Sequence, residues 1–201
     1  MLGEKFSDVM DKIPLSYYLN DDVLFLGRDL LGKVLCTKKG CGIIIECESY
    51  RAPEDKASHA YQGRRTARNE VMFGPGGHAY VYVCYGMHNL FNVVTGPERV
   101  PHAVLIRAIF MPEKGAIVGP GLVTRALGID RAANGCRLDV DTVWLEDRGI
   151  TFRKSHIEAT PRIGISYAEE YAQKPWRFRC TNSCLKQFPE IIKLKFSLRS
   201  P

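Results

Sequence analysis

Strand-like stretches lie at residues 42–50, 78–95 and 102–111, and no regular succession of helices alternates with them. Parallel neighbours need a long crossover between them, usually a helix. The pattern therefore predicts an α+β fold around a curved, mainly antiparallel sheet, with helices around it and residues 78–95 standing out as a β-hairpin. No internal repeat, low-complexity stretch or linker divides the 201 residues. One domain over 1–201 is expected, with 1–20 and 181–201 peripheral.

Local patterns fill in this outline. "NDDVLFLGRDLLGKVL" opens on Asn/Asp caps and sets Val23, Leu26, Leu30 and Leu31 at helical spacing, predicting a helix over 21–31. In "GIIIECESY", Ile45, Cys47 and Ser49 share one face. Glu46, Glu48 and Tyr50 share the other, which alternation alone turns toward solvent. Residues 51–66 read as a loop, "ARNEVMFG" as a short helix ending at Gly74, and "GPGLVTRALGI" as a helix entered through Gly-Pro-Gly. Strands are also expected near 142–146 and 161–166, followed by a short helix in "AEEYAQKPWRF" stopped by Pro175.

Lys plus Arg number 28 against 22 acidic residues, a net charge of +6 that favours an anionic partner. No apolar run approaches the ~20 residues of a membrane span. "MLGEKFSDVM" has no cationic segment ahead of an apolar core, so a secreted protein is not expected; the cytoplasm, or a nucleus, is. All seven cysteines are expected as reduced thiols. Cys180 and Cys184 have no further zinc ligands close by in sequence, and the five histidines are scattered without an i,i+4 pair. Neither a metal nor another cofactor is expected.

The charges inside apolar segments carry more information. Arg107 is the lone cation of "VLIRAIF" and needs a carboxylate or a bound anion to offset its desolvation. With Glu48 it reads either as a structural ion pair or as a pair bracketing a water, Glu48 then being the general base. His59 reads as a solvated loop side chain or as a hydrogen-bonding group at a pocket edge. Arg64, Arg65 and Arg68 form either a solvated face or a set of phosphate contacts. In the hairpin, Tyr80 and Tyr82 share a face. A two-residue Gly86-Met87 turn fits, as does a three-residue Gly86–His88 loop that sets Tyr82 opposite Asn92. Either way Tyr85 lies at or beside the tip, where an aromatic side chain can wedge between DNA base steps.

Taken in order, "IIIECESY", "DKASHAY", "RRTARNEVMFGPGGHAYVYVCYGMHNLFNVV", "AVLIRA", "GPGLVTRALGI" and "PRIGI…KPWRF" resemble the alkyladenine (3-methyladenine, or methylpurine) DNA glycosylases from about residue 24 to 178. The resemblance implies a monofunctional base-excision enzyme that flips alkylated or deaminated purines out of double-stranded DNA, approached from the minor groove, and hydrolyses the N-glycosidic bond. It implies that Glu48 activates the water, while Arg107 and the backbone carbonyl of Ile163 hold it. Tyr50, His59 and Tyr82 would stack on or bond to the flipped base, and Asn92 would reject guanine by clashing with its exocyclic amine. Tyr85 would intercalate, with Met87 beside it. A monomer suffices for this, and no lysine stands at an obvious pocket position for a Schiff-base step. The chain departs from the family's pattern at Leu122, His88 and Tyr171. A damaged-DNA binding module without catalysis is the alternative. An RNA- or nucleotide-directed N-glycosidase would have no use for the wedge.

Overall fold

The computed structural model describes residues 12–186. Segments 1–11 and 187–201, the larger part of the two regions read as peripheral, lie outside the described residues. In chain order the elements are α1 (Leu15–Tyr18), α2 (Val23–Asp29), β1 (Val34–Thr37), β2 (Gly40–Tyr50), β3 (Ala79–Cys84), β4 (His88–Thr95), β5 (His102–Met111), β6 (Gly115–Val118), α3 (Pro120–Leu127), β7 (Val143–Glu146), β8 (Ile157–Thr160) and β9 (Arg177–Cys180). The described residues form one sheet of nine strands in the order β3-β4-β5-β2-β1-β7, with β6 beside β5, β9 beside β2 and β8 outside β9. Every pairing is antiparallel. The expected α+β class and antiparallel sheet are what the chain adopts. No helix among the described residues is long and apolar enough to cross a membrane.

The helices are shorter than the apolar spacing suggested. α2 begins at Val23 because Asp22 is its cap, accepting from the amides of Leu24 and Phe25. It ends before Gly32, whose φ of +93° and closeness to the Ile150 carbonyl leave no room for a side chain. Gly27 lets α2 lie flat on the back of β2, where Ser49 Oγ donates to the Val23 carbonyl at 2.8 Å. "ARNEVMFG" supplies only a 3₁₀ turn at Glu70–Phe73, and "AEEYAQ" a kinked 3₁₀ stretch, Ser166–Gln173. That stretch ends before Pro175, as expected, and the chain continues as strand β9. Residues 161–166, expected as a strand, are a loop whose neighbour Ile157–Thr160 takes the strand instead. Residues 142–146 hold β7 as expected. Ile13 and Tyr18, in the region read as peripheral, are buried in the main core.

The alternation read for β2 fails at Ile45. Its register with β5 runs Ile44 to Ile109, Glu46 to Ala108 and Cys47 to Ile106, with an irregularity on each side of Glu46. One extra residue on each strand reverses the alternation there. Ile44, Cys47, Ile106 and Ile109 consequently all face the main core, while Ile45 joins Ile43, Ala108 and Phe110 in a second, smaller cluster. Ile45 and Cys47 therefore do not share a face. The Glu46–Glu48–Tyr50 face is not turned to solvent either, because loops roof it: Glu46 and Glu48 are buried and Tyr50 is half-buried.

The thiol reading is also corrected. Cys36 and Cys41 are directly opposed on β1 and β2, with Cα atoms 4.2 Å apart, and form a disulfide. The two-residue turn Lys38-Lys39 that brings them together was not recognised, because β1 was hidden behind the helical pattern preceding it. Cys180 and Cys184 are free and buried against the smaller cluster.

Candidate active site

Direct cross-strand partners project from the same face of a sheet. Following the pairings across the sheet gives one row: Arg177 on β9, Glu48 on β2, Leu105 on β5, Asn92 on β4 and Tyr80 on β3. Along the strands the same face carries Tyr50 opposite Ala103, and Tyr82 opposite Leu90. Tyr50, Tyr80, Tyr82, Leu90, Asn92, Ala103 and Leu105 line a chamber of about 610 Å³, and Glu48 lies buried behind its wall. The loop around Ala57–His59, the N-terminal end of α3 and Ile163–Ile165 complete its walls. The size suits one nucleobase with its sugar. No lysine lines it among the described residues.

Glu48 is wholly buried at the floor of this face, yet its carboxylate is well partnered. Oε1 accepts from the Ile163 amide at 2.8 Å, and Oε2 accepts from Tyr50 Oη at 2.9 Å and from Arg107 Nη1 at 3.4 Å. Burial raises its pKa above the ordinary carboxylate value; Arg107, the Ile163 N–H, Tyr50 and Arg162 oppose the shift without cancelling it. Arg107 also donates to Glu46 Oε1 at 3.2 Å, which Arg177 approaches equally closely. Arg107 is ion-paired to Glu46 and Glu48 and lines the chamber wall. For Ile163, the group brought to Glu48 is the amide; the expectation concerned its carbonyl.

The base-sized part of the chamber is aromatic. Tyr80 and Tyr82 rings lie 5.3 Å apart, and His59 meets Tyr82 edge-on at 4.7 Å. His59 Nδ1 is 2.7 Å from Tyr80 Oη. Burial, then the nearby Arg68 and Arg64, lower the His59 pKa to about 4, so the imidazole is neutral at physiological pH. Asn92, buried, gives its Nδ2 to the Tyr80 carbonyl at 3.0 Å.

The hairpin differs from both sequence readings. Its last pair is Cys84 with His88, so the loop is Tyr85-Gly86-Met87, and Asn92 stands opposite Tyr80, not Tyr82. The offset from the three-residue alternative is two in register, so Tyr82 and Asn92 still share the chamber face. Tyr85 adopts φ +50° at the tip and is 89% exposed, and Met87 is 73% exposed. Tyr85 borders the chamber; Met87 lies outside its lining. Arg68 reaches over the Tyr82 ring at 4.9 Å, and Arg64 and Arg68 line an adjoining recess with Lys56 and Thr66. Arg65 is turned away, paired with Glu70.

Sequence reasoning missed four contributors. Tyr80 is the direct partner of Asn92 and His59. Asp55 and Arg162 form a fully buried ion pair behind Tyr50. Tyr167, 66% exposed, lines both the chamber and the recess. The polar run "DKASHAY" and the arginine of "PRIGI" were the available signals.

A family profile described as methylpurine-DNA glycosylase matches residues 17–184. The chain belongs to the methylpurine-DNA glycosylase family. Among curated relatives, a Chlamydia felis protein is 48% identical over 187 residues, covering 83% of this chain and 94% of its own. A Chlamydia pneumoniae protein is 45% identical over 81% and 91% of the two chains. One from Bacillus cereus is 42% identical over 82% and 93%. All three carry the provisional name 3-methyladenine DNA glycosylase. The three positions expected to depart from the family's pattern are placed as follows. Leu122 is half exposed on the chamber rim. His88 packs on Gly121, where an added Cβ would lie 3.2 Å from the imidazole. Tyr171 meets Trp176 edge-on, 5.7 Å between centroids.

Proposed function

We propose that this chain is a monofunctional DNA glycosylase of base excision repair that removes alkylated or deaminated purines from duplex DNA and leaves an abasic site. As a member of its family it is a hydrolase of N-glycosyl bonds acting on DNA, of the 3-methyladenine DNA glycosylase type. The observation that carries the finer reading is a buried Glu48 hydrogen-bonded to Tyr50, Arg107 and Ile163, three residues that line an aromatic chamber of base size. We read residues 1–201 as one glycosylase domain working as a monomer on DNA inside the cell.

In this reading the duplex meets the protein on the face bearing the hairpin tip, through its minor groove. Tyr85 fills the gap left by the extruded nucleotide, offsetting part of a flipping cost of roughly a few kcal/mol. Met87 packs beside it, and Arg64 and Arg68 take phosphates. An alkylated purine is electron-poor and often cationic, so it gains from the faces of Tyr50 and Tyr82, and a neutral His59 does not repel it. Asn92 excludes the exocyclic amine of guanine. Ionised Glu48 takes a proton from water as that water attacks C1′, the bond to the purine nitrogen breaks, and the electron pair leaves with the base. Arg107 orients the carboxylate and holds the water with the Ile163 backbone.

The test is single-turnover cleavage of a labelled duplex bearing one hypoxanthine or ethenoadenine, with an alkylated-DNA release assay beside it. Wild type is expected to give alkali-dependent breaks. Glu48→Gln is expected to lose at least about 100-fold in rate while binding lesion DNA normally. Lesion binding without base release by wild type in either assay would leave a damaged-DNA binding module in place of an enzyme.

A further inference from the structure

Behind the chamber, Arg162 and Asp55 are buried and face one another through two N–H···O contacts. Each is also tied to its surroundings. Arg162 Nη1 donates to the Ser49 carbonyl at 2.9 Å, and Nη2 approaches the Tyr171 carbonyl at 3.4 Å. Its guanidinium lies 4.6 Å from the Tyr50 ring centroid and 5.1 Å from that of Trp176. Asp55 accepts from the amides of Arg51 and Ala57 at 3.2 and 3.0 Å. One ion pair thus joins the end of β2, the loop after it, and the 161–173 segment.

Two residues of this network stand next in sequence to groups in contact with Glu48. Ser49 lies between Glu48 and Tyr50, and Ile163, whose amide reaches Glu48, follows Arg162 directly. The loop 161–165 has no strand pairing; it is held by the fork of Arg162 on Asp55 at one end and by Ile165, buried against Ala57 and Ala168, at the other.

We propose that Arg162, gripped by Asp55, is a positioning residue that holds the Ile163 amide and the Tyr50 hydroxyl on Glu48 and so keeps this carboxylate ionised at the pH where it must accept a proton. The proposal deepens the glycosylase reading and rests on Glu48 being the base. The charged and titratable groups around Glu48 are Glu46 on its own strand, Tyr50, Arg107 on β5, Arg177 on β9, Tyr82 on β3 and Arg162 itself. Arg107 and Tyr50 act on Glu48 by direct hydrogen bonds, whereas Arg162 acts at one remove, through the residues it holds. Lysine at this position keeps the charge and removes the fork, which separates the two contributions.

The experiment uses the whole chain labelled with ¹³C at glutamate carboxyls, with the Glu48 signal identified by its loss in Glu48→Gln. Arg162→Lys is expected to raise the Glu48 titration midpoint by about one pH unit, a tenfold change in its ionisation equilibrium. Its single-turnover rate is expected to fall and the acid limb of the rate profile to move up with the midpoint, while lesion binding stays within about threefold. An unmoved Glu48 titration in folded Arg162→Lys overturns the proposal, whatever its effect on melting temperature. Should that variant not fold, Asp55→Asn retains the guanidinium and its Ser49 contact and cuts only the ionic grip. A smaller upward shift is expected there, and none overturns the proposal. The carboxyl titration needs no turnover: a wild type that released no base would sink the glycosylase reading while this test still returned its answer.

Discussion

At the scale of single residues, the site turns on how few groups face the floor of the chamber. Asn92 is buried with its amide nitrogen committed to the Tyr80 carbonyl, so it cannot swing aside for a bulkier base. Replacing it with serine shortens the side chain and opens space beside Tyr80. Asn92→Ser is expected to increase release of unmodified guanine from duplex DNA by about tenfold, equivalent to about 1.4 kcal/mol, while excision of a lesion without the exocyclic amine stays within a factor of three. Counting free guanine released from an undamaged duplex checks this, and unchanged discrimination would put the gate elsewhere. Glu48 and Arg107 were legible in the sequence because a charge inside an apolar strand demands a partner. Arg162 and Asp55 were not, since each lies in a polar loop where a charge has no need of explanation. Only folding shows both wholly buried.

At the scale of elements, the hairpin is the part that sequence reading approached most nearly and still misplaced. Aromatic alternation fixes which residues share a face, but not the loop length, because Tyr85 itself enters the turn at positive φ. The bulge at Ile45 was illegible for a similar reason: "IIIE" is apolar under either phasing, so nothing local marks the residue that breaks it. The hairpin is braced from behind. Thr124 Oγ1 on α3 donates to the Asn89 carbonyl at 2.7 Å, and Gly121 lets α3 approach His88. The tip is therefore presented on a supported strand pair. Tyr85→Ser removes the ring and leaves that support alone. Lesion-duplex affinity and the fluorescence of a 2-aminopurine beside the lesion are expected to fall by the equivalent of about 1–3 kcal/mol, the worth of one aromatic stack. Affinity for undamaged duplex is expected to change little. Equal losses on the two duplexes would remove the wedge.

At the scale of the whole molecule, Glu48 carries a stability penalty that its pH dependence exposes. Burial raises the Glu48 pKa above the ordinary carboxylate value of 4.5, so the folded state holds its proton more tightly than the unfolded chain. The stability that this confers is complete below about pH 4.5 and is lost as pH rises through the folded value. The mechanism proposed above needs the opposite state, since only ionised Glu48 accepts a proton. His59 has the reverse sign: its pKa falls from 6.5 to about 4 on folding, so stability is lost as pH drops through that window. Comparing Glu48→Gln with wild type cancels the histidine and isolates the carboxylate. Glutamine mimics the protonated acid, so the variant is expected to melt higher than wild type at pH 7.5, by about 2–4 °C for each kcal/mol of penalty. The gap is expected to close as pH is lowered toward 4.5. Calorimetry of both proteins between pH 4.5 and 8 measures it directly. A gap that is negative at neutral pH, or that does not change with pH, would mean that Arg107, Tyr50 and the Ile163 amide fully compensate the buried charge, and that Glu48 is held as an ordinary structural ion pair.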